Sequence, residues 1–284
     1  MSVVDLEQLV AGTRPWTVLS GAGISTDSGI PDYRGSGVDQ RRRPSIRYRE
    51  FMREPHTRRR YWARSHVGYR WMAAAEPNDG HRAVAALQTE GLVGPVLTQN
   101  VDGLHQRAGA EDVVELHGSV DRVICTSCGQ LTTRRSFAAR LAELNPDFHT
   151  RSATIAPDGD ADLPDDEVET FRVPPCLNCG GVLKPDVVFF GESMPRVRRD
   201  HASALLAESA GLLVLGSSLT VMSGYRLVLQ ADKAELPIAI VTRGQSRGDH
   251  LATVKVDASL SEVLPALARS TDRDRAADQD HPAA

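Results

Sequence analysis

A parallel sheet covered by helices on both faces, an α/β fold, is what this chain of 284 residues predicts. Three observations carry the expectation. Short apolar runs recur along the chain with amphipathic helical stretches between them, the pattern of strands buried on both faces. Polar, glycine-containing motifs stand at the ends of five of those runs, where ligands sit in open parallel sheets. Two segments of different character, Gly35 to Glu76 and Asp121 to Lys184, break the alternation and read as insertions.

Taken in order, the first strand is Trp16–Ser20, ending in Ser20-Gly-Ala-Gly23. The first insertion follows, rich in arginine and aromatic residues and read as a solvated helical module. A helix over Gly80–Glu90 leads to a strand over Val93–Thr98, and Val113–Leu116 supplies the next strand before His117-Gly118. Inside the second insertion Phe137–Leu144 has helical spacing, whereas Ala156–Thr170 is acidic and reads as a solvated loop. Beyond it come a strand over Val187–Phe190, a helix over Arg196–Ser209 and a strand over Leu212–Gly216. A helix over Gly224–Glu235, strands over Ile238–Thr242 and Thr253–Val256, and a helix over Ser261–Ala268 complete the pattern. Residues 269–284 are polar, lack periodicity and are expected to form a disordered tail.

The totals exclude several classes. Apolar residues make up 41% and charged residues 25%, ordinary for a globular chain. A net charge of −4 provides no general field for nucleic acid, and beside the arginine runs at 41–43 and 58–60 the chain carries no aromatic stacking motif, so no nucleic-acid function is expected. No apolar run is long enough to span a bilayer, and Asp5 and Glu7 do not suit a signal peptide. The expectation is a cytoplasmic monomer.

Residues 20 to 34, Ser-Gly-Ala-Gly-Ile-Ser-Thr-Asp-Ser-Gly-Ile-Pro-Asp-Tyr-Arg, are the most informative stretch. A chain turning off a strand without bulky side chains can bring its N–H groups against a phosphate. The usual dehydrogenase fingerprint starting at Gly21 would need glycine at position 26, where Thr26 stands. The segment is therefore a phosphate loop of another kind.

The four cysteines form two knuckles, Cys125-Thr-Ser-Cys128 and Cys176-Leu-Asn-Cys179, with none left over. In a reducing compartment this spacing points to one tetrahedral Zn²⁺ with no open position, hence a structural metal. At the strand ends, Gln99 and Asn100 both donate and accept, which suits ribose hydroxyls or a carboxamide. Asp102 adds a carboxylate, and His117 has the pKa of a general base near neutrality.

Together these motifs resemble the sirtuins, the NAD-dependent protein deacylases, from about Val18 to Leu264. The segments are Gly21–Ser25, Gly29–Arg34, Thr98–His105, Leu116-His-Gly118, both knuckles, Lys184–Glu192 and Gly216–Leu219. Arg60–Arg64, Ser223–Arg226 and Ser246–Asp249 are similar to the class II branch.

The resemblance implies a Rossmann-like domain with a smaller zinc-ribbon plus helical module inserted. Residues 1–268 would form one catalytic domain, with Rossmann-like parts at about 1–34, 80–120 and 185–268, a helical insertion at about 35–79 and a zinc module at about 121–184. The implied activity is removal of acyl groups from protein lysines with consumption of NAD, giving nicotinamide, O-acyl-ADP-ribose and free lysine. Mono-ADP-ribosyl transfer and lipoamidase-type removal of long acyl chains are the alternatives.

The implied NAD contacts are Gly21, Ala22, Gly23, Ser25, Asp27, Pro31, Asp32 and Arg34 around the diphosphate and nicotinamide. Gln99, Asn100, Val101 and Asp102 would hold the nicotinamide ribose and carboxamide, and Gly216, Ser217, Ser218, Thr242, Arg243, Gly244 and Leu260 the adenosine half. His117 would be the proton acceptor, with Asn100 and Asp102 beside it. Val188, Phe189, Gly191 and Glu192, facing Leu219–Met222, would pair with an extended acyl-lysine peptide. Two positions depart from the usual pattern: Thr242 replaces an asparagine, and Met222-Ser223-Gly224 stands where many deacetylases carry a proline. Tyr61-x-x-Arg64 has the spacing that binds acidic acyl groups in another sirtuin branch.

Overall fold

The computed structural model describes residues 2–12, 15–32, 45–148, 163 and 168–279. Arg34, the Arg41–Arg43 run and most of the Ala156–Thr170 stretch lie outside the described residues.

Nine strands are described: β1 (Trp16–Ser20), β2 (Val93–Thr98), β3 (Val113–Glu115), β4 (Gly118–Cys125), β5 (Leu131–Thr133), β6 (Leu183–Val187), β7 (Leu212–Leu215), β8 (Ile238–Val241) and β9 (Val254–Val256). Among the helices are α1 (Val3–Gly12), α2 (Tyr48–Arg53), α3 (Pro55–Ala74), α4 (Asp79–Thr89), α5 (Leu104–Arg107) and α6 (Arg134–Leu144). After β6 come α7 (Arg196–Ala207), α8 (Met222–Lys233) and α9 (Leu260–Gln279).

Six strands form one sheet in the order β3-β2-β1-β7-β8-β9, every neighbouring pair parallel. This is the doubly wound order, which reverses direction between β1 and β7. Strand periodicity explains why these segments are apolar throughout. Val18, Leu213, Leu215, Ala239 and Val241 enter one core, with Leu6 of α1, Val84 and Leu87 of α4, and Leu264 and Leu267 of α9. Their neighbours Leu19, Leu212, Val214, Ile238 and Ile240 enter the opposite core, with Ala202 and Leu206 of α7 and Val228 and Ala231 of α8. Both faces being covered, alternation with polar residues has no place.

The antiparallel strands β5-β4-β6 make a second, smaller sheet. The two segments read as insertions pack together as one smaller module. Phe51, Tyr61 and Trp62 share one core with Val123, Phe137, Leu141, Leu183, Cys125 and Cys176. Trp62 Nε1 donates to the Leu183 carbonyl at 3.2 Å, and Phe137 lies against the Trp62 ring at 4.5 Å between centroids. The helix α3 is accordingly not solvated: Tyr61 to Gly68 is a continuous buried run.

Two further boundaries move. The apolar run Val187–Phe190 is not a strand, since β6 ends at Val187 and Phe190 lies outside the ladder, bridged to Arg47. Glu192 folds back to accept the Phe189 N–H at 2.9 Å and pairs with Lys184 Nζ at 3.1 Å, which turns the chain out of the sheet. At the other end α9 runs to Gln279, past the boundary expected at Ala268. Residues 269–279 contain neither glycine nor proline to stop a helix once it is nucleated on the core.

Candidate active site

The reversal between β1 and β7 opens a crevice beyond the strand ends, and the two loops that leave it are packed glycine against glycine. Gly23 N–H donates to the Gly216 carbonyl at 2.8 Å and Gly21 N–H to Leu215 at 2.9 Å. A Cβ on Gly23 would stand 2.9 Å from Gly216 Cα, and one on Gly216, whose φ is +61°, would stand 2.6 Å from Ile24 N. Side chains at these positions would force the loops apart. No long helix follows Gly21; the chain makes two single 3₁₀ turns, Ala22–Ile24 and Thr26–Ser28.

A web of hydrogen bonds fixes that loop. Ser25 Oγ donates to Asp102 Oδ2 at 2.7 Å and accepts from Asn100 Nδ2 at 3.0 Å. Asn100 Nδ2 also reaches the Gly21 carbonyl at 3.2 Å. The α4 cap, Asn78, receives Gly80 and His81 N–H groups on its side-chain oxygen and donates from Nδ2 to the Ile24 carbonyl at 2.7 Å. Asp102 takes a second bond from Leu104 N–H at 3.0 Å. Burial pushes its pKa up, and the bonds from Leu104 and Ser25 act against that rise. Beneath the loop lie His81 and His105, ring to ring at 5.0 Å. His105 Nε2 is 2.9 Å from Ser20 Oγ, while its Nδ1 is buried without a hydrogen-bond partner among the described residues.

Gln99 sits at the centre of the floor. Its backbone N–H donates to the Ser20 carbonyl at 2.9 Å, its side-chain oxygen accepts from Ser217 Oγ at 2.7 Å, and its carbonyl lies 2.9 Å from His117 Nδ1. A carbonyl only accepts, so Nδ1 carries the ring proton and Nε2 holds the lone pair of the neutral imidazole. That Nε2 faces Ser223 Oγ at 2.7 Å. Burial, and to a lesser degree the Arg198 guanidinium, holds the His117 pKa down, against the opposing pull of the Gln99 carbonyl.

A cavity of about 1280 Å³ joins these parts, more than a single small ligand requires. Its walls include Gly21, Ala22, Gly23, Ser25, Asp27, Pro31, Asp32, Gln99, Asn100, Val101, Asp102 and His117. Gly216, Ser217, Ser218, Thr242, Arg243, Gly244 and Leu260 line it too, as do Val188, Phe189, Gly191 and Glu192. Every site residue expected from the sequence, Arg34 and the cysteines apart, therefore borders one space. Tyr61 lines it as well and meets Phe51 and Phe189 at 5.5 and 5.2 Å, forming an aromatic wall. Arg64 is not among the described residues of the lining.

Sequence reasoning missed Ser223 as a partner of His117, and His81 and His105 as supports. The first pair is 106 residues apart in the chain, and neither sits in a motif that announces the contact. Helix α8 also approaches Gln99 closely: a Cβ on Gly224 would lie 2.7 Å from the Gln99 amide nitrogen.

The Sγ atoms of Cys125, Cys128, Cys176 and Cys179 lie within 4.8 Å of one another. Cys125–Cys179 and Cys128–Cys176 are separated by 3.5 and 3.8 Å. A tetrahedron with Zn–S bonds of about 2.3 Å has S···S edges of about 3.8 Å. The cradle is tight: a Cβ on Gly181 would stand 2.5 Å from Ser127 Oγ and 3.1 Å from Cys125 Sγ. The four donors thus fit a structural Zn²⁺.

Glycine-packed loops at the switch point of a doubly wound sheet, with a neutral imidazole and amide side chains on the cavity floor, define an α/β protein built to bind a dinucleotide. The "Sir2 family" model matches residues 21–223, and the chain belongs to that family. It is 58% identical over 251 residues to NAD-dependent protein deacetylase 1 of Streptomyces coelicolor, covering 88% of this chain and 84% of that protein. It is 49% identical over 253 residues to NAD-dependent protein deacylase Sirt4 of Drosophila melanogaster, covering 88% and 81%. A solved structure of Sir2 with a p53 peptide and NAD⁺ superposes with a TM-score of 0.74 at 29% identity, covering 96% of this chain and all of that one.

Proposed function

We propose that the protein is an NAD-dependent protein-lysine deacylase with deacetylation as its basic reaction. The observation that carries the reading is the neutral His117 on the cavity wall, its proton pinned on Nδ1 by the Gln99 carbonyl and its Nε2, beside the Ser223 hydroxyl, left as the proton-accepting atom. NAD is the co-substrate: departure of nicotinamide leaves an electrophilic ribose carbon, which the acyl oxygen captures. In this reading the loop from Gly21 to Asp32, with Arg34 beyond it, holds the diphosphate and covers the nicotinamide. Asn100, Gln99, Val101 and Asp102 orient the ribose and carboxamide, and Gly216–Ser218, Thr242–Gly244 and Leu260 hold the adenosine half.

Val188, Phe189, Gly191 and Glu192 present the peptide. His117 Nε2 takes the proton of a ribose hydroxyl as that oxygen attacks the captured acyl carbon. The zinc is structural, because four thiolates leave no coordination position for substrate.

The relatives described above carry deacetylase or deacylase names, which favours deacylation over ADP-ribosyl transfer or lipoamidase action. The class II placement rests on Arg60–Arg64, Ser223–Arg226 and Ser246–Asp249 and belongs to the same proposal. No helix among the described residues is long and apolar enough to cross a membrane, and we place the protein in the cytoplasm as a monomer acting on acyl-lysine proteins rather than nucleic acid. The test is a panel of acyl-lysine peptides incubated with NAD, with products resolved by mass. Stoichiometric nicotinamide, O-acyl-ADP-ribose and free lysine are expected; absence of nicotinamide release across the panel overturns the reading.

A further inference from the structure

We propose that Ser223 is a positioning residue for the proton acceptor His117, its hydroxyl serving as donor to the neutral ring and as acceptor from the protonated one. The inference rests on the deacylase reading and gives Ser223, which entered above only through the class II resemblance and the Met222-Ser223-Gly224 departure, a role of its own.

The geometry leaves the hydroxyl little other purpose. Ser223 is the second residue of α8, whose cap, Val221, has no side-chain cap bond. Serine near a helix start ordinarily bonds to an orphan backbone N–H. Here Oγ is 2.7 Å from His117 Nε2. Because the Gln99 carbonyl fixes the proton on Nδ1, the hydroxyl proton of Ser223 points to the Nε2 lone pair. That bond, with the one to Gln99, sets the plane and rotamer of the ring before substrate arrives.

The same contact acts after proton transfer. As the ribose hydroxyl arrives, Ser223 turns its own hydrogen away from the Nε2 lone pair. The ribose O–H bond breaks, its electron pair goes to the new O–C bond, the proton binds the vacated lone pair, and Ser223 Oγ then accepts from Nε2–H. The proton is later returned to the lysine nitrogen as that group leaves. A hydrogen bond from an imidazolium is stronger than one to a neutral imidazole, so the net effect favours the charged ring.

The surroundings give that acceptor weight. The charged group facing the ring is Arg198 of α7, and the N–H groups at the start of α8 also carry partial positive charge. The carboxylate of Asp186 on β6 is engaged by Arg198 and Arg122, and Glu115 on β3 by Arg122. Both polar partners of the imidazole, the Gln99 carbonyl and the Ser223 hydroxyl, are therefore neutral, and Ser223 is the one on the nitrogen that changes protonation.

The test compares wild type, Ser223→Ala and Ser223→Thr as full-length chains. Histidine-labelled protein is titrated by NMR without ligand, with the His117 resonance identified by its loss in His117→Gln. Ser223→Ala should lower the His117 midpoint by about half a pH unit or more, and Ser223→Thr should restore it. In turnover, Ser223→Ala should lower the plateau kcat roughly tenfold, move the acidic limb of the pH profile by the same amount as the NMR midpoint, and affect nicotinamide exchange into NAD much less. An unmoved midpoint in Ser223→Ala overturns the proposal whatever the activity does. If wild type releases no nicotinamide from NAD with any acyl peptide, the deacylase reading fails, while the titration still decides whether Ser223 sets the ionisation of His117.

Discussion

Ser25 and Asp102 join the glycine loop to the end of β2 through one short bond, hydroxyl to carboxylate, at 2.7 Å. Asp102 is buried and its pKa is raised by desolvation, so the Ser25 donor is one of the few groups that make its charged form tolerable. Removing a donor from a charged acceptor costs about 1.5–3 kcal/mol. Ser25→Ala should therefore destabilise the protein by that amount at any pH where Asp102 is ionised. The substitution raises the folded pKa of Asp102 further above its unfolded value, so the loss is full above that pKa and fades as pH falls through it. Urea unfolding of both proteins at several pH values measures it; a penalty independent of pH would show that Ser25 acts only through packing or through Asn100.

Acid should destabilise the wild type through the buried histidines. Burial holds His81 at about 3 and His105 at about 4, against about 6.5 in an unfolded chain. Their stabilising contribution is present above pH 6.5 and is lost as pH falls toward those folded values, because the unfolded chain takes up protons that the fold refuses. Each approaches about 1.4 kcal/mol per pH unit within the window. Asp102, whose folded pKa is raised, works in the opposite direction. His66, held at about 4, and His117 add to the same slope, so the net expectation is stability that declines from pH 6.5 to 5, with a shallower slope in His105→Asn. Equal slopes in the two proteins would remove His105 from the account.

How much of this was legible depended on where the partner of each residue lay. Trp16–Ser20 and Ile238–Val241 announced themselves because burial on both faces makes every position apolar. The strands β4 and β5 did not, because β4 mixes buried with polar, partly exposed positions and β5 is short and largely exposed. Val187–Phe190 looked like a strand by composition, but Glu192, two residues beyond, pulls the chain out of the ladder by a bond that composition does not encode. The knuckles fixed the metal donors by spacing alone. Tyr61 and Arg64 shared a motif in the sequence, yet helical geometry sends only Tyr61 to the described cavity wall.

The contact between the two glycine loops predicts a contrast between two alanine substitutions. Gly216 and Gly91 both have positive φ, +61° and +74°, so alanine at either carries backbone strain of about 1–3 kcal/mol. Only at Gly216 does the added Cβ collide with backbone, 2.6 Å from Ile24 N, whereas Gly91 has open space around it. Gly91→Ala should lower the melting temperature and leave NAD affinity unchanged. Gly216→Ala should do both, because the phosphate loop must move. Calorimetric titration of NAD into each variant checks the contrast, and equal affinities would mean that the loop is not the NAD cradle.

The four-cysteine cradle predicts how metal loss should appear. Cys125 and Cys176 belong to the same core as Trp62, Phe137 and Leu141, so the metal holds together a hydrophobic unit that also anchors α3. Purified protein should contain one equivalent of zinc. Since the binding energy of such a site is folding energy, stripping the metal should lower the melting temperature by more than about 10 °C. It should also expose Trp62 to solvent, seen as a red shift in its emission. Cys176→Ser should do the same without chelator. A closed four-thiolate site supplies no Lewis acid to substrate, so Co²⁺ reconstitution should restore folding and turnover in parallel. If cobalt protein refolded to the native melting temperature yet stayed inactive, the metal would have a part in the chemistry and the structural assignment would fall.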